Sequence, residues 1–118
     1  MEILTVATDC LFCRIIRKEI PAKLVAEDEH CLAFRDINPQ APAHILIVPR
    51  EHIPSLNDLT DGKVVGQLHM MATRLAKSEG IAERGFRTVI NTNADGGQTV
   101  SHIHLHLLGG RRMSWPPG

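Results

Sequence analysis

Residues 101–110 read SHIHLHLLGG, so that His102, His104 and His106 alternate with Ile103, Leu105 and Leu107. Side chains alternate between the two faces of a β-strand, so this stretch puts three imidazoles on one face and three aliphatic groups on the other. Neighbouring imidazoles then have Cβ atoms roughly 6.5 Å apart. Burying the aliphatic face fixes the register and with it the aim of the histidines. Imidazole exchanges protons near pH 7 and, when neutral, offers a nitrogen lone pair. Polar rings on a sheet face need partners or solvent, so packing alone does not account for three in strict alternation. Two chemistries stay open from this stretch by itself: proton transfer or nucleophilic attack by histidine, and a zinc site, for which H-x-H on a strand with a third imidazole is a suitable ligand set.

The rest of the chain supplies the neighbours of this strand. Residues 11–18, LFCRIIRK, have the spacing of a short amphipathic helix that ends before Pro21. Lys23 to Glu27 and Cys31 to Asp36 read as strands joined by the acidic turn Asp28-Glu29, and INPQAPA (37–43) is a loop. His44 to Val48 is an apolar strand stopped by Pro49. Thr60 as N-cap, the helical spacing of Val64, Leu68, Met71 and Leu75, and Gly80 as the residue after the C-cap define one long helix. Phe86 to Asn91 is a fourth strand, and the loop NADGGQ (93–98) leads into the histidine strand. Short connections favour antiparallel pairing. The expected fold is α+β: one domain over residues 1–118, a five-stranded, mainly antiparallel sheet, one short helix and one long helix that covers a face. Residues 1–9 form an extension and 110–118 a tail.

Composition narrows the function. The 118 residues carry thirteen basic and thirteen acidic side chains, which argues against a broad footprint for nucleic acid or an anionic membrane. Phe12, Phe34, Phe86 and Trp115 are the only aromatics, too few for a base-stacking platform. No apolar run approaches the roughly 20 residues of a membrane span, and no basic segment followed by an apolar stretch opens the chain. These features point to a soluble, cytoplasmic protein. Three cysteines do not make a disulfide framework. Cys31 lies in the apolar run CLAF and reads as core, whereas Cys10 and Cys13 form a C-x-x-C pair open to zinc or to two free thiols; a redox pair would need a thioredoxin-like strand before it. Consecutive glycines in Asp95-Gly96-Gly97-Gln98-Thr99 let backbone N–H groups approach an anion, with the Thr99 hydroxyl beside them. His44 joins this set if its strand lies beside the triad.

The motifs FCRIIRKEIPAK (12–23), FRDINPQAPAHILIVP (34–49), DGGQTVSHIHLHLLGGR (95–111) and WPPG (115–118) together closely resemble the histidine triad (HIT) superfamily, and within it the Hint branch of nucleoside phosphoramidate hydrolases. The resemblance implies a HIT-like fold and a homodimer in which two five-stranded sheets join into one of ten. It implies cleavage of purine nucleoside 5′-phosphoramidates such as adenosine 5′-phosphoramidate, and often of aminoacyl-adenylates, to the nucleoside monophosphate. His104 is then the nucleophile and a nucleotidyl-histidine the intermediate. His106, Thr99, His102 and His44 assist. Gly97, Gln98 and Asn91 contact the phosphate or ribose, and Asp36 the ribose hydroxyls. Leu11, Phe12, Ile15, Phe34, Ile37 and Leu46 line the base pocket, and Trp115 on the tail reaches the active site across the dimer. No cofactor is needed for catalysis. Some microbial members hold a structural zinc, which maps here onto Cys10, Cys13, His52 and His102. Dinucleoside polyphosphate hydrolysis, nucleotidyl transfer, and a nucleotide-binding regulatory role with incidental catalysis are the alternatives.

Overall fold

The computed structural model describes residues 9–118, so the expected N-terminal extension lies, apart from Asp9, outside the described residues. The elements in chain order are α1 (Leu11–Ile16), β1 (Leu24–Glu27), β2 (Cys31–Arg35), β3 (Ala43–Pro49), a turn of 3₁₀-helix (Leu56–Asp58), α2 (Lys63–Ser78), β4 (Phe86–Val89) and β5 (Leu105–Gly109). The strands form one sheet in the order β1-β2-β3-β5-β4, with every neighbouring pair antiparallel. The α+β class, the five strands and the two helices agree with the sequence reading. Among the described residues no helix is long and apolar enough to cross a membrane.

Alternation sorts the strand residues into two cores. On one face Ala33, Ile45, Ile47, Leu105 and Leu107 pack against Leu68, Met71, Ala72 and Leu75, the apolar stripe of α2. On the other, Leu32, Phe34, Leu46 and Val48 pack against Phe12 and Ile15 of α1, with the Phe12 and Phe34 rings edge to face at 5.5 Å. Because α1 is short, it covers only part of its face, and the remainder carries the polar site. A bidentate pair from Arg35 to Glu79, at 2.7 and 3.0 Å, ties β2 to the end of α2.

Several boundaries differ from the expected ones, each for a local reason. Helix α2 begins after Gly62, not after Thr60, and the Asp61 carboxylate accepts the Lys63 N–H at 2.9 Å. Its C-terminus is as expected: Gly80 has φ 74° and donates to Lys77 O, while Ile81 N–H reaches Ala76 O and its side chain enters the core. Helix α1 stops at Ile16, closed by Lys18 in the left-handed region. Pro49 is the last residue of β3 and not a residue beyond it. Ladder pairing of the histidine strand starts at Leu105. Before it, His102 N–H bonds Val100 O and Ile103 N–H bonds Ile53 O at 2.7 Å, so His102–His104 follow the 50–55 loop and leave β4 to end at Val89.

Candidate active site

The register of β5 against β3 places Leu46 opposite His106 and Leu108 opposite His44, so His44 and His106 are diagonal neighbours on the face away from α2. Gln40 N–H donates to His44 Nδ1 at 3.0 Å. An amide N–H can only donate, so that nitrogen is the acceptor and the proton of neutral His44 sits on Nε2. His44 Nε2 lies 2.9 Å from His106 Nδ1 and therefore donates to it. The proton of neutral His106 is then on Nε2, a buried atom with no hydrogen-bond partner among the described residues. His104 Nδ1 donates to the carbonyl oxygen of His102 at 2.8 Å, which leaves its Nε2 as an unprotonated lone pair. The His104 and His106 ring centroids are 5.0 Å apart, and Phe12 stands edge-on to His104, also at 5.0 Å. One face thus holds a neutral nucleophilic nitrogen beside a preset N–H donor.

Burial keeps these rings neutral. Desolvation lowers the His104 and His44 pKa values, against the opposing pull of Asp36 on both and of the His102 carbonyl on His104. His106 is pushed down to about 4 by burial, with His104 and His44 adding to the effect and Asp36 opposing it. The Asp36 carboxylate takes the Asn38 N–H at 2.8 Å and lies 3.4 Å from His44 Nε2, keeping lone pairs for a ligand. Asp36, Ile37 and His44 line a cleft of about 560 Å³ with Lys23, Arg35 and Pro42, a size in the range of small-molecule sites.

The other expected contacts divide. Phe12, Ile15, Phe34 and Leu46 are buried together beside the histidines, whereas Leu11 is exposed, Ile37 stands clear of the surface and Trp115 is 81% exposed on the tail. Asn91 is half-buried just after β4, and Thr99 is exposed on the loop before the triad. The glycine loop is committed to itself: Gly97 and Gln98 N–H groups bond Ala94 O and Asn93 O, and the Gln98 amide staples Asn93, Pro54 and Val100 together. A side chain at Gly96 would drive its Cβ into the Thr92 carbonyl oxygen, so the tight turn itself demands glycine there. Gln40, which sets the His44 tautomer, was not singled out from the sequence, because its contribution is a backbone N–H.

A second cluster adjoins the first through His102. Its Nε2 donates to Pro49 O at 2.9 Å, so Nδ1 carries the lone pair and faces Cys10 Sγ at 3.4 Å, Cys13 Sγ at 3.6 Å and His52 Nδ1 at 3.2 Å. Cys13 Sγ is 3.4 Å from His52 Nδ1. Tetrahedral zinc with ordinary bond lengths has S–N edges of about 3.5 Å and an N–N edge of about 3.3 Å. The donor set and its spacing therefore fit that ion. Asp36, His44 and His106 are also close together. Their 2.9 Å N–N contact is a hydrogen-bond length, shorter than a shared-ligand edge. Cys31, whose thiol burial pushes up to about 11, belongs to neither cluster.

Known proteins resemble this chain in sequence and in fold. The family described as HIT domain matches residues 17–113. The chain is 50% identical over 109 residues to the purine nucleoside phosphoramidase of Escherichia coli K12, covering 91% of this chain and 92% of that protein. It superposes on a HIT family hydrolase from Legionella pneumophila with a TM-score of 0.91 at 54% identity, covering 93% of this chain and all of that one. A zinc-bound histidine triad family protein from Mycobacterium smegmatis matches at a TM-score of 0.77 and 32% identity, over 87% of this chain and 76% of that one.

The neutral imidazoles have a consequence for stability. His106 is held neutral in the fold down to about 4, while an imidazole in the unfolded chain titrates near about 6.5. The groups facing it are His44 on β3, His104 just ahead of β5 and Asp36 beyond β2. Between those values the unfolded chain binds more protons, so stability is full above about 6.5 and falls as pH drops towards about 4. Urea denaturation across this window is expected to show that decline in the wild type and a shallower one in His106→Gln. Equal slopes would contradict the burial argument.

Proposed function

This chain belongs to the HIT domain family, and on that premise we propose that it hydrolyses the P–N bond of purine nucleoside 5′-phosphoramidates to give the nucleoside monophosphate and an amine. The observation that carries this reading is the hydrogen bond from His104 Nδ1 to the His102 carbonyl, which presents Nε2 as a neutral nucleophile. The His104 lone pair attacks the α-phosphorus. The P–N bond breaks with its electron pair on nitrogen, and a covalent nucleotidyl-histidine forms. A bound anionic phosphoryl group favours the charged form of His106, whose Nδ1 then also carries a proton while the His44 Nε2–H turns to the Asp36 carboxylate 3.4 Å away. The proton on His106 Nε2 passes to the departing nitrogen, which leaves as the amine. Neutral His106 next takes a proton from the water that attacks phosphorus, and His104 is released.

Asp36 accepts from the ribose hydroxyls at the cleft wall, and Asn91 and Thr99 lie on the phosphate side, next to the loop that Gly97 and Gln98 hold in shape. Leu11, Phe12, Ile15, Phe34, Ile37 and Leu46 form the base side. The exposed edge of β4, with Phe86 open to solvent, suits pairing with the same strand of a second copy into a ten-stranded sheet. In that dimer Trp115 of the exposed tail closes the partner's site. Cys10, Cys13, His52 and His102 would hold a zinc ion, which when bound would supply a structural cross-link from α1 to the triad segment; the attack on phosphorus is the work of His104.

Two measurements check these assignments. His104→Ala is expected to lose more than about a thousandfold in turnover of adenosine 5′-phosphoramidate, while its affinity for AMP stays within a few-fold; turnover near wild type would reject the nucleophile. Elemental analysis of zinc-supplied protein is expected to give about one zinc per chain, lost in C10S/C13S together with a lower Tm. Metal-free wild type whose Tm ignores added zinc would reject the site.

A further inference from the structure

The arginines of this chain are segregated. Arg14, Arg17, Arg35, Arg50 and Arg74 each pair with a carboxylate. Among the described residues, Arg84, Arg87, Arg111 and Arg112 pair with none, and Arg87 instead donates to Ser114 O at 3.0 Å. The other three converge on one cavity of about 360 Å³, between the loop after α2 and the segment after β5, whose walls include Gly80, Gly85 and Gly110. A chain of zero formal net charge thus gathers three guanidinium groups in one concave place, without a counter-charge of its own.

We infer that this cavity is a binding site for a small multivalent phosphate-type oxyanion, of which pyrophosphate is the representative probe. Guanidinium forks match the spacing of phosphoryl oxygens, and charge-assisted hydrogen bonds of this kind are among the strong ones. Three like charges sharing a cleft repel one another, and an anion carrying two or more charges relieves all three. Arg111 is already ordered: its Nε donates to Gln40 O at 2.9 Å and its Nη1 to Arg112 O at 3.2 Å, so little side-chain freedom is lost on binding. The glycine walls leave room for the anion, with Gly80 and Gly85 facing open space. The cavity's small volume favours a compact ion over an extended chain. It shares no lining residue with the cleft bounded by Asp36 and His44.

The test avoids Arg111, because the Gln40 residue it holds also donates to His44. Arg84 and Arg112 are exposed, so their replacement leaves the core intact. Pyrophosphate, and inorganic phosphate in parallel, are titrated calorimetrically at low ionic strength into wild type, R84A/R112A, R84K/R112K and H104A/H106A. Pyrophosphate is expected to bind the wild type with Kd below about 1 mM and the alanine pair at least about tenfold more weakly. The lysine pair is expected to recover part of the loss, the histidine pair to match wild type, and phosphate to bind more weakly than pyrophosphate throughout. No binding to wild type, no recovery in the lysine pair, or loss in H104A/H106A with retention in R84A/R112A would overturn the inference; the last outcome would place the ion among the histidines.

Discussion

The register in which β5 lies between β3 and β4 governs everything at the site. With His106 opposite Leu46, the odd-numbered residues Leu105 and Leu107 face α2 and are fully buried. A slip of one residue would turn them out and push imidazoles into an apolar core. Each leucine so exposed forfeits roughly 1.5–3 kcal/mol of burial, and each imidazole brought in would lack a partner. The apolar stripe of α2 therefore aims the histidines, although it touches none of the chemistry. Helix α1 completes the arrangement from the other side, because its Phe12 both fills the second core and stands against the His104 ring.

Proton order is set by main-chain groups. Gln40 N–H fixes His44, the His102 carbonyl fixes His104, and the Pro49 carbonyl fixes His102. These positions follow from strand pairing and from the loop ahead of His44, so the tautomers are part of the fold and need no acidic partner. Burial then favours the neutral rings. The neighbouring histidine groups diverge in role through spacing alone: a 2.9 Å donor–acceptor contact joins His44 to His106, whereas His52 and His102 meet two thiols at distances a tetrahedral ion would bridge.

Much of this was legible in the sequence, and what was not has physical causes. Alternation in His102–Leu107 placed the histidines opposite the aliphatics, and the helical spacing of Leu68, Met71 and Leu75 identified the long helix. The start of that helix lies two residues beyond the one that Thr60 as N-cap implies, because Gly62 is the N-cap and the Asp61 carboxylate takes the Lys63 N–H from outside the helix. The turn at Leu56–Asp58 carried an S-x-x-D signal, seen in the structure as a capping box from Ser55. The departure of His102–His104 from the ladder depends on a bond from Ile103 to Ile53, fifty residues away, which no local pattern encodes. Gln98 read as a phosphate group's neighbour, yet its amide is spent on the loop. The roles of Gln40 and Pro49 as tautomer-setting backbone groups were likewise invisible, because any residue type can supply an N–H or a carbonyl.

The central claim is that the lone pair of His104 forms a bond to phosphorus. Rapid mixing with adenosine 5′-phosphoramidate, quenching without acid, and mass spectrometry of the digested protein would examine it directly. The account expects a transient nucleotidyl adduct on the peptide containing His104, appearing before AMP is released at the steady rate. AMP release without any adduct, abolished by a chelator, would contradict it and shift the chemistry to a metal-activated water at the neighbouring cysteine–histidine cluster.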